Sequence, residues 1–165
     1  MRIIKLGIIS LIVFSLIITG FSLFFPSHIR VSKAIDINAA RDSVLSQLNN
    51  PINWKKWFPG GDTSELVIAE GKVIGIGTGN KQALLIDAIT DSTVTAVNGG
   101  PNAKKGESGW NIFETNKPNT FTVQWYMNFH LRWYPWEKFS SLLLEKRYGP
   151  VMESGLGKLK RLLEK

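Results

Sequence analysis

The strictest alternation in the chain runs from Phe121 to Leu131. Phe121, Val123, Trp125, Met127, Phe129 and Leu131 take every second position, with Thr122, Gln124, Tyr126, Asn128 and His130 between them. Successive side chains of a strand point to opposite faces, so this pattern predicts a β-strand with one continuously apolar face. The segment Trp136 to Lys165 has a different period. Phe139, Leu142, Leu143, Val151, Met152, Leu156, Leu159, Leu162 and Leu163 recur at three- and four-residue steps, with charged residues mostly between them. That spacing predicts one long amphipathic helix, whose apolar stripe needs a surface to cover it. The apolar face of the 121–131 strand is that surface. Gly149 and Pro150 interrupt the helical pattern, and Gly155 and Gly157 weaken it, which predicts a kink or brief break near Gly149.

Shorter patterns fill the rest. Ile29, Val31, Ile35 and Ile37 alternate with polar residues or alanine, a half-buried strand in which Lys33 is the exception. Asn38 is placed to cap a helix ending at Asn49-Asn50-Pro51, and Pro51 to open a second, short helix carrying Trp54, Trp57 and Phe58. Leu66–Ala69, Gln82–Thr90, Thr93–Val97 and Trp110–Thr115 read as strands, and 98–109 as a polar, glycine-bearing loop containing Lys104-Lys105. The run Gly75-Ile76-Gly77-Thr78-Gly79 lacks the third glycine of a dinucleotide fingerprint and the Lys-Ser or Lys-Thr of a phosphate loop. Hairpin chemistry explains it better.

Before all of this stand twenty uncharged residues, Leu6 to Phe25, preceded by Arg2 and Lys5 and closed by Pro26. At helical rise they extend about 30 Å, the thickness of a hydrocarbon core. A cleaved signal peptide has a shorter apolar region and small residues at its exit, whereas this exit is Phe24-Phe25-Pro26-Ser27-His28. An uncleaved anchor is the expectation: residues 1–28 as anchor, 29–165 as one soluble domain. Because Arg30, Lys33 and Arg41 balance the basic tail, the positive-inside rule hardly decides orientation. The shortness of the tail favours an extracytoplasmic domain.

Composition narrows the chemistry. The chain has 44% hydrophobic residues and no cysteine, so it is globular in composition and holds neither disulfides nor thiolate metal sites. The net charge of +7 invites a nucleic-acid reading, but Arg2, Lys5 and Arg30 belong to the leader, leaving 17 basic against 13 acidic residues beyond it. Much of that excess sits on the terminal helix, where a solvated face accounts for it, and no nucleic-acid partner is expected. Acid–base candidates are few: Asp87, Glu114, His130 and Tyr126, the last turned away from the apolar face by parity. No metal site, cofactor or serine-nucleophile motif is expected.

The order strand, two helices, several antiparallel strands and a long helix carries a resemblance. The stretch Val31–Trp57, closing on Trp54-Lys55-Lys56-Trp57, looks like the opening of the START-like, or SRPBCC, superfamily that includes polyketide cyclase/dehydrase proteins. The segment Glu145–Leu156 with Leu159-Lys160 is similar to the closing helix of its membrane-leader members. The resemblance implies an α+β helix-grip fold, a curved antiparallel sheet wrapped around the C-terminal helix behind one N-terminal transmembrane helix. It also implies a cavity for a hydrophobic small molecule or lipid. Bulky apolar positions offer the lining: Trp54, Trp57, Phe58, Trp110, Phe121, Val123, Trp125, Met127 and Phe129. Non-enzymatic binding is the leading reading, against a cyclase- or dehydratase-like enzyme and an interaction module whose core is solid.

Overall fold

The computed structural model describes residues 2–79, 82–100 and 106–164. Helix α1 (Arg2–Ser22) comes first, followed by β1 (His28–Asn38), α2 (Arg41–Leu48) and α3 (Pro51–Trp57). Six strands then run β2 (Leu66–Ala69), β3 (Lys72–Gly79), β4 (Gln82–Ile89), β5 (Thr93–Gly99), β6 (Gly106–Glu114) and β7 (Thr120–His130). Helix α4 (Pro135–Ser140), a 3₁₀ turn (Ser141–Leu143) and helix α5 (Leu144–Leu163) complete the chain. The strands form one antiparallel sheet in the order β1-β7-β6-β5-β4-β3-β2, so the first strand pairs with the last, from His28 beside His130 to Asn38 beside Thr120. Helix α5 lies on β1 and β7, and α3 is wedged between α5 and β3. This is the expected helix grip.

The alternation in β7 holds. Val123 and Trp125 are fully buried on the inner face, in register with Ile112 and Trp110 of β6. Lys33, the exception in β1, also points inward, in register with Trp125. Its stem passes Gly149, and its ammonium lies 2.7 Å from Glu145 and 3.0 Å from Glu153. Glu145, Gly149 and Glu153 are four residues apart, one stripe of α5 that leaves a notch for a lysine.

Several expectations need correction. Asn38 does not cap α2: it ends β1, and its backbone N–H donates to Glu164 Oε1 at 2.7 Å, while Ala40 stands at the helix start. Asn50 caps α3 instead, its side chain accepting from the Ile52 N–H at 3.0 Å ahead of Pro51. Lys72–Gly79 is a strand, and the hairpin turn precedes it at Glu70-Gly71, where both residues have positive φ, as a primed turn requires. Residues 98–99 and 106–109 belong to strands, so the loop is shorter than expected; its centre, with Lys104-Lys105, lies outside the described residues.

Helix α5 continues through Gly149 and Pro150, and the interruption falls earlier, at 141–143. The covered stripe is Gly149, Met152, Gly155, Leu156 and Leu159, whereas Phe139, Leu142, Leu143 and Val151 are exposed.

On the outer face, Tyr126 is buried because its ring lies across Gly109, where a Cβ would stand 2.5 Å from the phenol, and beneath the Arg30 guanidinium at 4.2 Å. Its hydroxyl donates to Glu107 Oε1 at 3.1 Å. Burial, then that hydrogen bond, raises its pKa above the ordinary phenol value. Since the folded pKa is the higher one, the stabilisation is complete below about pH 10 and is lost as pH climbs through the folded pKa. Denaturant titrations across that alkaline range are therefore expected to give a shallower loss of stability for Tyr126→Phe than for the native chain. Equal slopes would refute the assignment. Lys33, raised chiefly by its hydrogen bonds to Glu145 and Glu153, acts in the same direction in both proteins and cancels in the comparison.

Candidate ligand-binding site

Five rings meet between the sheet and the helices. Trp54, Trp57 and Phe58 come from α3 and its end, Trp110 from β6, and Trp125 from β7, the last two directly paired. Trp110 lies 5.1 Å from Trp54, 5.7 Å from Trp57 and 5.7 Å from Trp125 between centroids, and Phe58 is 5.2 Å from Trp125. These are ordinary separations for tilted and edge-to-face aromatic pairs. All four indoles are completely buried, and only Phe58 reaches the half-exposed range. Helix α5 closes the cage with Gly155, where an added Cβ would meet Trp125 at 2.8 Å and Pro59 at 3.0 Å.

A buried indole needs an acceptor for its N–H. Trp54 donates to the Leu48 carbonyl at 2.8 Å, Trp57 to the Gln47 carbonyl at 3.3 Å, and Trp125 to Ser108 Oγ at 2.8 Å. Ser108 in turn donates to the Tyr126 carbonyl at 3.3 Å. Among the described residues the Trp110 N–H is buried without a partner, as is Gln47 Oε1. Leaving one such group unsatisfied costs about 1–3 kcal/mol.

The nine residues expected to line a cavity are thus placed unequally. Trp54, Trp57, Phe58, Trp110 and Trp125 converge on the cage. Val123 is buried beside it, opposite Ile112, and Phe121, Met127 and Phe129 are half-buried along the same face of β7. Phe121 and Phe129 stand eight residues apart, roughly 26 Å at strand rise, too far for one small molecule to touch both. Phe129 instead packs on Tyr148 of α5, with ring centroids 4.9 Å apart.

The groups considered for acid–base chemistry lie elsewhere. Asp87, Glu114 and His130 are exposed, and Tyr126 belongs to the outer face. His130 is in register with His28, the two exposed rings 4.5 Å apart and edge-to-face. Among the described residues no group of three His, Asp or Glu could hold a metal ion. Sequence reasoning missed Ser108, Gln47 and Gly155. Ser108 carried a signal, since it continues the inward parity of Trp110 and Ile112.

A curved antiparallel sheet gripping a C-terminal helix around an aromatic interior defines a helix-grip domain of the START-like class. The chain belongs to the family described as Polyketide cyclase / dehydrase and lipid transport, whose model matches residues 28–164. Among solved structures it is similar to a START superfamily protein from Mycobacterium smegmatis, at 15% identity and a TM-score of 0.60, covering 82% of this chain and 97% of that one. A protein from Nitrosospira multiformis matches at 15% identity and a TM-score of 0.61, over 82% and 96%. CalU16 from Micromonospora echinospora matches at 13% identity and 0.53, over 81% and 73%. Among curated proteins none matches the sequence.

Proposed function

We propose that this protein binds a hydrophobic small molecule or lipid against the tryptophan cage, without transforming it, while residues 6–25 hold it at a membrane. The observation that carries the binding reading is the Trp110 N–H, a donor buried in a mainly apolar cage with no acceptor among the described residues. An apolar ligand with one acceptor oxygen satisfies both features of that environment. The family's description, which includes lipid transport, supports this class of ligand.

Entry is by way of Phe58, the one ring of the cage that reaches the surface, on a segment continuing as Pro59-Gly60-Gly61. Phe121 and Val123 continue the apolar face of β7 on one side of Trp125, and Met127 and Phe129 on the other, so a ligand longer than the cage would extend along one of these two directions. Helix α1 is long and apolar enough to cross a bilayer. Residues 1–28 are the anchor and 29–165 the binding domain, which we place outside the cytoplasm; protease digestion of sealed right-side-out membranes reads that orientation.

Native mass spectrometry of the full chain extracted in detergent tests the function. A bound hydrophobic molecule is expected, with occupancy reduced in Trp110→Phe, a variant that keeps an aromatic ring in the cage while removing the unpartnered donor together with part of the indole's volume. Consistently empty native protein would overturn the reading in favour of an interaction module. A bound molecule released chemically altered would overturn it in favour of a cyclase- or dehydratase-like enzyme.

A further inference from the structure

The apolar side chains of the terminal segment that α5 does not bury form a patch of their own. Trp133 and Trp136 are 62% and 68% exposed, Leu142 and Leu143 64% and 62%, with Phe139 exposed beside them. Water is a poor environment for so many neighbouring large apolar groups, and a patch of this kind marks an interaction surface. Its position says what covers it.

Helix α4 lies against α1: Pro135 and Trp136 line one groove with Phe14, Ser15, Ile18 and Thr19. The junction between the two is fastened. The Lys138 ammonium, almost fully buried, donates to the Phe25 carbonyl at 3.0 Å and to Ser27 Oγ at 2.6 Å. The Leu131 N–H donates to the Ser27 carbonyl at 2.8 Å, and the Phe25 and Phe139 rings meet edge-to-face at 5.3 Å. The groove runs along Leu11 to Thr19 of α1 while the fastened junction lies at Phe25 and Ser27, so a bilayer that receives α1 meets the outer side of α4 from the membrane boundary inward.

We infer that residues 133–143 form a second membrane contact, with Trp133, Trp136, Leu142 and Leu143 inserted into the leaflet on the domain's side of the bilayer. The composition suits that boundary. Trp and Tyr concentrate where hydrocarbon meets headgroups, and short amphipathic elements lie there with basic residues at their margins. Here Tyr134 stacks on Trp136 at 4.9 Å, and the exposed Arg132, Lys146 and Arg147 bracket the segment in sequence. The insertion adds a second constraint on the tilt of the domain to the one the fastened junction already sets.

The inference rests on the anchor reading of α1, and the test separates the two. Because the chain has no cysteine, single-cysteine variants of the full protein can carry one nitroxide label each. These are Ile12→Cys in α1, Leu142→Cys in the patch and Ile89→Cys on the exposed end of β4, reconstituted in phosphatidylcholine–phosphatidylglycerol vesicles. Collision with oxygen, concentrated in hydrocarbon, is compared with collision with a water-soluble nickel chelate. The oxygen-to-nickel ratio is expected to be several-fold higher at positions 12 and 142 than at 89.

Position 142 matching 89 while 12 stays in hydrocarbon would overturn the second contact and leave the anchor standing. Shielding of 142 from both reagents would overturn it in favour of a protein partner, such as a second copy. An aqueous position 12 would remove the anchor reading and this inference with it.

Discussion

Trp125→Ala is expected to lower the unfolding free energy by about 3–5 kcal/mol, the range for truncating a buried aromatic residue, and with it the midpoint temperature by roughly 10–15 °C. Trp125 lies at the meeting point of the cage: it touches the rings of Trp57, Phe58 and Trp110, abuts Gly155 and donates to Ser108. Its removal opens a void bordered by the sheet, α3 and α5, and takes the donor from Ser108 Oγ. Thermal unfolding of the full chain in detergent measures the loss. Trp133→Ala, at an exposed position, is expected to stay within about 0.5 kcal/mol of the native value. A loss under ~1 kcal/mol at Trp125 would mean that the rings are not packed against one another as described.

The second large effect is a contrast between two glycines in α5. Alanine in place of glycine in a helix interior gains up to about 1 kcal/mol from propensity alone. Gly157 has open space where a Cβ would go, so Gly157→Ala is expected to stabilise by that amount. At Gly155 the same methyl group would press into Trp125 and Pro59. Overpacking of this kind costs about 1–3 kcal/mol, so Gly155→Ala is expected to destabilise, and Gly155→Val further, since its branched chain fills more of the same space. Denaturant midpoints of the three variants decide the matter, and shifts of the same sign for both alanine variants would refute the close contact.

The strength of each local pattern decided how much of this was legible in the sequence. The inward face of β7 could be read because its alternation is unbroken over eleven residues, and Pro51 opens α3 as its fixed backbone angle allows. Lys33 broke the β1 pattern in sequence yet points inward, because Glu145 and Glu153, more than a hundred residues later, wait for it on α5. Asn38 was a reasonable cap by type, but Glu164, from the far end of the chain, takes its N–H and keeps it in the strand.

The Gly149-Pro150 pair was expected to interrupt the helix. Burial of Gly149, Met152, Gly155, Leu156 and Leu159 along one side holds the helix together across it. For the site, the aromatic residues were identifiable as a set but not as a cage, since the pairing of Trp110 with Trp125 depends on register, which one sequence does not encode locally. The exposed leucines of 142–143 read as part of the buried stripe for the same reason: periodicity shows that a face is apolar, not what it meets.

The pairing of β1 with β7 has a consequence for how the molecule is made. Among the described strands, the one emerging directly behind α1 neighbours β7 alone and has α5 as its cover, and both are synthesised last. Until residues 120–163 have left the ribosome, Val31, Ile35 and Ile37 lack both their partner strand and their covering helix, and the sheet cannot be completed. Such long sequence separation between partners slows folding and prolongs exposure of sticky surface. A chain ending before β7 would therefore leave β1 without its strand partner and the sheet incomplete.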